Sequence, residues 1–207
     1  MDSSGVDLSM SHHNYPALFV AGEDWQMNAC LNFMHDMRYG YIEGYRRAAD
    51  RLIEHVAETG NDQDVFVYPI AFMYRQHIEL QLKQIINAGR ELLTDRGSYP
   101  PHHKLHDLWP LAKGLLRKTW PNEPDPPEFG KIDNFIDQFS KIDHDSTAFR
   151  YPMQKVGDTS LQGVRYISLR NLAESVHSFS GFLDRAASSL ADYLQYKHES
   201  ERDMSYW

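Results

Sequence analysis

The clearest pattern of apolar and polar positions lies in the last third of the chain. Apolar side chains recur there at alternating steps of three and four residues, which is typical of a helix that packs along an antiparallel neighbour. The stripe consists of Leu169, Leu172, Val176, Phe179, Leu183, Ala186, Leu190 and Tyr193. It predicts a long C-terminal helix, followed by a polar, frayed tail over residues 198–207.

Weaker versions of the same pattern predict four helices upstream. These helices cover residues 24–59, 63–93, 103–118 and, as a short element, 132–139. Gly60 supplies a left-handed cap for the first of them. A short extended piece is predicted at residues 164–167. The sequence therefore predicts an all-α fold, an antiparallel helix bundle of about five helices.

The bundle is expected to form one domain. The chain has 207 residues, 42% of them hydrophobic, which is enough for one sizeable core. We expect a loose N-terminal segment over residues 1–22, the helical domain over 23–197, and the polar tail over 198–207.

Charge and composition narrow the class of protein. The net charge of -8 argues against a protein dedicated to duplex DNA, because such proteins carry a basic face. No apolar run approaches the length of a bilayer span, and residues 1–14 lack the basic start and apolar core of a signal peptide, so we expect a cytoplasmic protein without membrane contact. The single cysteine, Cys30, fits a reducing compartment. Its apolar, helical surroundings favour a small buried residue over a nucleophile.

A group of charged residues in the second predicted helix is the first candidate for chemistry or for structure. Arg75, Glu79 and Lys83 stand four residues apart and therefore share one helix face. They form either an ion-pair ladder on a solvated surface or a buried polar network anchored by Glu79. The candidate partners in such a network, all from other parts of the chain, are His103, His106 and Arg150. Arg150 is flanked by aromatic residues, which favours a clamp between two elements.

Histidines crowd the start of the third predicted helix. His103 and His106 lie three residues apart, so both project from one face and can in principle bind Zn²⁺. A catalytic zinc site needs a third ligand, and the His-Glu-x-x-His pattern of metalloproteases is missing here. We therefore predict no metal site, and expect these histidines to orient the loop against the helix.

A candidate catalytic pair lies on the C-terminal helix. Arg170, followed by Asn171, and His177 are seven residues apart, which places the arginine and the histidine on one face about two turns apart. Such a pair can cleave RNA without a metal: the imidazole moves a proton as the 2′-hydroxyl attacks, and the guanidinium stabilises the anionic transition state. The competing interpretation is a solvated face beside the packing seam.

Three ordered stretches resemble the HEPN superfamily of helical bundles. Glu79 to Lys83, with Ile85 and Ile86, resembles that group's Glu-x-x-Leu-Lys helix. A His-x-Leu-x-x-Leu pattern follows, starting at either His103 or His106. Phe149 to Pro152 then resembles the Arg-Tyr-Pro turn before the final helix. The resemblance covers about residues 65–195.

The resemblance implies two different functions. HEPN ribonucleases carry Arg-x(4–6)-His, often with Asn after the Arg, and this matches Arg170, Asn171 and His177. It implies a homodimeric, metal-independent endoribonuclease of a toxin or anti-phage system, with no cofactor. Members with the Arg-Tyr-Pro turn include non-catalytic scaffolds and nucleotide-binding or partner-binding modules. A homodimer also agrees with the aromatic residues near the C-terminus, which are Tyr193, Tyr196, Tyr206 and Trp207.

Overall fold

Five α-helices make up most of the part of the chain that the structure describes. The computed structural model describes residues 18–31, 36–95, 97, 101–154 and 157–204. The helices are α1 (Arg38–Thr59), α2 (Gln63–Leu92), α3 (Leu105–Thr119), α4 (Pro127–Ile142) and α5 (Leu169–Met204). Within the described ranges there is no strand, only an isolated antiparallel bridge between Met153 and Thr159. The all-α prediction is confirmed, and the predicted extended piece at 164–167 has no regular structure.

The helix predicted from Asp24 begins later than expected, at Arg38. Among the described residues upstream, the regular structure is a single 3-10 turn, Trp25–Met27, in which the Asp24 side chain accepts a hydrogen bond from the N–H of Gln26 at 3.2 Å. The side chain of Asn28 then bonds twice to the backbone of Gly22, at 2.7 and 2.9 Å, which competes with helix continuation. Cys30 is exposed in this stretch, so the expectation of a buried cysteine was wrong. The chain divides into two compact units between Asp36 and Met37.

Helix α2 is the central element of the second unit and packs against α1, α3 and α5. The apolar stripe of α2, which consists of Ile78, Leu82, Ile85 and Ile86, is fully buried. Most of the apolar seam predicted for α5 is also buried. The two meet in a core that includes Ile78, Leu82, Ile85, Val176, Phe179 and Leu183. Gly60 and Asp62, both with positive φ, turn the chain sharply from α1 into α2. This arrangement places polar residues of α2 near the starts and ends of the other helices.

The predicted polar tail is helical as far as Met204 rather than frayed. Lys197 explains part of this extension, because its Nζ donates to the carbonyls of Glu91 and Leu92 at 3.3 and 3.2 Å. These carbonyls belong to the last turn of α2, where a cation is favourable.

Helix α4 also starts earlier than predicted, with Pro127 in its first turn. Among the described residues, no helix combines the length and apolar character needed to cross a bilayer.

Candidate functional site

A buried carboxylate in α2 is the centre of a network of charged side chains. The side chain of Glu79 is 1% exposed. Its Oε1 accepts hydrogen bonds from Lys83 Nζ at 2.9 Å and His103 Nδ1 at 2.7 Å, and its Oε2 accepts one from Arg75 Nη1 at 3.0 Å. Of the two interpretations of the four-residue spacing, the buried network matches this geometry. It satisfies a charge that would be costly to bury alone.

Arg75 extends the network toward two other elements. Its Nη2 donates to the backbone carbonyl of His103, just before α3, and its Nε lies 3.3 Å from Asp143 Oδ2. Asp143 ends α4, and its Oδ1 accepts the backbone N–H groups of Thr147 and Ala148 at 2.7 and 2.9 Å. The network therefore fixes the turn after α4 against the middle of α2.

Burial and hydrogen bonding act in opposite directions on these groups. Burial alone would raise the pKa of Glu79, but the hydrogen bonds from Lys83 and His103 outweigh it, so its pKa lies below the ordinary value. Burial lowers the pKa of Arg75, opposed by Asp143 and Glu79. A guanidinium stays protonated in proteins, so the network is built from charged groups.

The other two residues assigned to this network lie outside it. The ring of His106 stacks beside that of His144, with centroids 4.3 Å apart. Arg150 donates from Nε to the carbonyl of Ser146 at 2.6 Å, and its guanidinium lies over the rings of Phe72 and Tyr151 at 5.7 and 5.5 Å. Neither bonds to Glu79 or Arg75 within the described ranges, and no group of three or more potential ligands there is arranged to hold a metal.

Arg150 lines a cleft of about 840 Å³ between the start of α2, the turn after α4 and the segment leading into α5. We name it the arginine–tyrosine cleft after its principal residues. These are Arg150 and Arg165 together with the exposed rings of Tyr68, Tyr151 and Tyr166. The only carboxylate among its described lining residues is that of Asp64. The cleft thus has a positive balance in a chain whose net charge is -8.

The structure does not bring the predicted catalytic pair together within one chain. Arg170 is exposed and has no polar partner among the described residues. Asn171 lines a different cleft, of about 680 Å³, between α4 and α5. The side chain of His177 is 48% exposed, and its Nε2 lies 2.8 Å from Asp50 Oδ1.

Asp50 of α1 is a polar residue that the sequence analysis did not select. Its Oδ1 also accepts a hydrogen bond from the Tyr74 hydroxyl at 2.7 Å, and its Oδ2 lies 3.1 Å from Arg46 Nη1. Burial and the bond to Asp50 both raise the pKa of Tyr74, so the phenol stays protonated as a donor. Asp50 and His177 are 127 residues apart in sequence, so only the packing of α1 on α5 reveals the pair.

The one histidine of α2, His77, contacts a serine but is enclosed. His77 Nε2 lies 2.7 Å from Ser180 Oγ, and its Nδ1 lies 3.0 Å from the carbonyl of Ile42. His77 and Ser180 are 0% and 3% exposed. Burial lowers the pKa of His77, which keeps the ring neutral. The contacts of His77 with Ile42 and Ser180 tie α1, α2 and α5 together in the interior.

Comparisons of the chain with protein-family models, with curated proteins and with solved structures give no match. The HEPN resemblance therefore stays a prediction, and a function has to be argued from the contacts described above.

Proposed function

We propose that this chain is a HEPN-like nucleotide-binding protein whose ligand occupies the arginine–tyrosine cleft. The observation that carries this proposal is the convergence of two guanidinium groups and three exposed tyrosine rings on one cavity. Guanidinium groups pair with phosphate oxygens, and aromatic rings stack on bases. A volume of about 840 Å³ lies in the range of small-ligand pockets.

The hydrogen bonds of Arg150 support a phosphate role. Its Nε is used by the Ser146 carbonyl, while its two terminal nitrogens have no partner among the described residues. The edge that remains has the fork geometry that binds a phosphate through two parallel bonds. The start of α2 adds the partial positive charge of a helix N-terminus, because Gln63 and Asp64 line the same cleft.

Replacing Arg150 by alanine is expected to weaken nucleotide binding at least about tenfold, because a hydrogen bond to a charged group contributes about 1.5–3 kcal/mol. Fluorescence anisotropy with labelled adenosine and guanosine nucleotides measures the affinity. Arg150→Lys keeps the positive charge but lacks the two parallel N–H groups of a guanidinium, so it should retain only part of the wild-type nucleotide affinity.

The matched control is Arg51→Ala. Arg51 lies on α1, is 82% exposed and pairs with Glu54, so its loss should leave nucleotide affinity unchanged. The proposal fails if the wild-type protein binds none of the nucleotides, or if Arg150→Ala and Arg51→Ala bind them equally well.

The Asp50–His177 hydrogen bond favours a second candidate function, a metal-independent endoribonuclease. A carboxylate only accepts hydrogen bonds, so in the neutral form of the His177 ring Nε2 carries the proton and Nδ1 has a lone pair. That nitrogen can take the proton of an RNA 2′-hydroxyl while the 2′-oxygen attacks phosphorus. The bond to the 5′-oxygen then breaks, this oxygen takes up a proton from water, and a 2′,3′-cyclic phosphate remains. Arg170 would have to come from a second copy of the chain.

His177→Ala is expected to reduce RNA cleavage in EDTA by about 10²–10⁴-fold, which is the usual contribution of a general acid or base. Gel analysis of a labelled single-stranded RNA measures it. His55→Ala is the control, because His55 also bonds a carboxylate, Asp62, at 2.9 Å but lies on α1. Equal rates for His177→Ala and the wild type would eliminate the nuclease.

A further inference from the structure

Three side chains with different binding properties follow one another at one-turn steps along the start of α2. Asp64, Tyr68 and Phe72 stand four residues apart, so they share one helix face. Asp64 and Tyr68 line the arginine–tyrosine cleft, and the guanidinium of Arg150 lies over the Phe72 ring at 5.7 Å. Along α2 the chain therefore presents a carboxylate, then an exposed ring, then a guanidinium. From Asp64 to Phe72 this order spans roughly 12 Å along the helix axis, at about 1.5 Å per residue.

We propose that the arginine–tyrosine cleft is selective for guanine nucleotides, and that Asp64 is the residue that recognises the guanine base. This inference rests on the proposed nucleotide-binding function and assigns a place to each part of the ligand. The base stacks on the ring of Tyr68, its hydrogen-bonding edge meets the Asp64 carboxylate, and the phosphate pairs with the terminal nitrogens of Arg150.

The hydrogen-bonding capacity of a carboxylate selects this base. Both oxygens of a carboxylate accept hydrogen bonds, and neither donates one. The Watson–Crick edge of guanine carries two adjacent donors, N1–H and the 2-amino group, which match the two oxygens. Adenine and cytosine each have a bare ring nitrogen beside the amino group, and uracil has one N–H between two carbonyls. Each of these three bases would therefore place a lone pair against the carboxylate.

The order of the side chains along α2 decides which part of the nucleotide Asp64 contacts. In a guanine nucleotide, N1–H and the 2-amino group lie across the ring system from the bond to ribose, and the phosphate follows the ribose. A base that stacks on Tyr68 with its phosphate at Arg150 therefore directs its Watson–Crick edge toward Asp64. The ribose hydroxyls lie on the other side of the base, away from the carboxylate.

The charges that line the cleft agree with this orientation. The charged side chains among its described lining residues are Arg150, Arg165 and Asp64. Asp64 lies in the first turn of α2, where the helix N-terminus carries about half a positive elementary charge. The full negative charge of the carboxylate outweighs this partial charge. A phosphate is therefore repelled from Asp64 and attracted to the arginines, whereas the donor edge of a base is favoured at Asp64.

Competition of nucleoside 5′-monophosphates against a labelled guanosine nucleotide, followed by fluorescence anisotropy, tests the proposal. Guanosine monophosphate should bind at least about tenfold more tightly than adenosine monophosphate, the usual discrimination of a two-bond contact. Inosine monophosphate lacks the 2-amino group and should fall between the two. 2′-Deoxyguanosine monophosphate should bind as well as the ribonucleotide, because Asp64 does not contact the sugar.

Asp64→Asn provides the sharpest comparison, because an amide can accept one hydrogen bond and donate another. This variant should lose the preference for guanosine monophosphate. It should gain about tenfold in affinity for xanthosine monophosphate, in which a carbonyl replaces the 2-amino group. Asp62→Asn is the matched control, since Asp62 precedes the same helix, bonds to His55 at 2.9 Å and does not line the cleft. Its base preference should be that of the wild type.

A second variant separates stacking from base recognition. Tyr68→Ala should weaken all four ribonucleotides by about the same factor, because every base has a face that stacks on an aromatic ring. Circular dichroism and thermal melting establish that each variant is folded. Loss of a favourable charge in the first turn of α2 would lower stability in Asp64→Asn, but it would not change the order of the bases.

The inference is overturned if guanosine and adenosine monophosphates bind equally well, or if Asp64→Asn and Asp62→Asn show the same base preference. It is also overturned if removal of the 2′-hydroxyl weakens binding as much as removal of the 2-amino group, since Asp64 would then bind the sugar. The nucleotide-binding function survives each of these results as long as Arg150→Ala weakens binding. Absence of binding by every nucleotide would overturn both proposals.

Discussion

Replacing Glu79 by glutamine is expected to lower the free energy of unfolding by about 3–5 kcal/mol, the usual loss when one partner of a buried ion pair is removed. The side chains of Arg75 and Glu79 are each 1% exposed, and that of Lys83 is 9% exposed. Without the carboxylate, two cations face each other in a region from which water is excluded. The amide of the glutamine also places an N–H group against Arg75, Lys83 or His103, which are themselves hydrogen-bond donors.

Chemical denaturation followed by circular dichroism measures this change. Glu58→Gln makes the same chemical substitution at an exposed position of α1 and should alter stability little. A double-mutant cycle with Arg75→Met separates the ion pair from the loss of volume, because the double variant should lose less than the sum of the single variants. An equal loss for Glu79→Gln and Glu58→Gln would contradict the structural role of the network.

Acid provides an independent check on the same carboxylate. The pKa of Glu79 in the folded protein lies below its ordinary value of 4.5. The stability that it contributes is therefore present above about pH 4.5 and is lost as the pH falls through the folded-state pKa. In Glu79→Gln this contribution is missing at every pH, so the difference from the wild type should shrink on acidification.

The sequence predicts those features whose cause is local. The seam of α5 from Val176 to Leu190 and the four-residue spacing of Arg75 and Glu79 are both set by the pitch of one helix, and the structure has both. The predicted start of the first helix at Asp24 was wrong. In that stretch the Asn28 side chain bonds the backbone of Gly22, a local alternative to helical hydrogen bonding that a pattern of apolar positions does not show.

The features missed in the candidate site depend on distant parts of the chain. Asp143 pairs with Arg75 only because the end of α4 reaches α2 in the folded chain. The contact of Asp50 with His177 likewise arises from helix packing alone. The spacing of apolar residues cannot predict such contacts. Each contact joins two separate parts of the chain, and the apolar pattern of each part is the same whether or not the contact forms.

The polar network and the arginine–tyrosine cleft are connected through a single turn. The Asp143 carboxylate accepts the backbone N–H groups of Thr147 and Ala148. Ser146, which directly precedes these two residues, has a left-handed φ of 62°. A non-glycine residue costs about 1 kcal/mol or more in this region, so the surrounding bonds must hold it. The Ser146 carbonyl in turn accepts the Nε of Arg150. We therefore expect the buried network to set the position of the guanidinium that lines the cleft.

Replacing Asp143 by alanine is accordingly expected to lower both stability and nucleotide affinity. The stability loss should be about 3 kcal/mol, because Arg75 loses one of its two carboxylate partners and two backbone N–H groups lose their acceptor. The affinity loss follows from the turn, since Arg150 loses its support at Ser146. Denaturation and nucleotide anisotropy on the same preparation measure both effects.

Asp145→Ala is the matched control for this prediction, because it removes a carboxylate two residues away whose side chain is 65% exposed. Asp145 contacts His144 and Lys104 at the surface, where ion pairs contribute little. If Asp143→Ala lowers stability but leaves nucleotide affinity unchanged, the buried network does not position the residues of the cleft. The turn would then hold Arg150 in place without the Asp143 carboxylate. A joint loss confined to Asp143→Ala would instead mean that the residues buried beneath the turn prepare the cleft for its ligand, because Asp143 lines no part of that cleft.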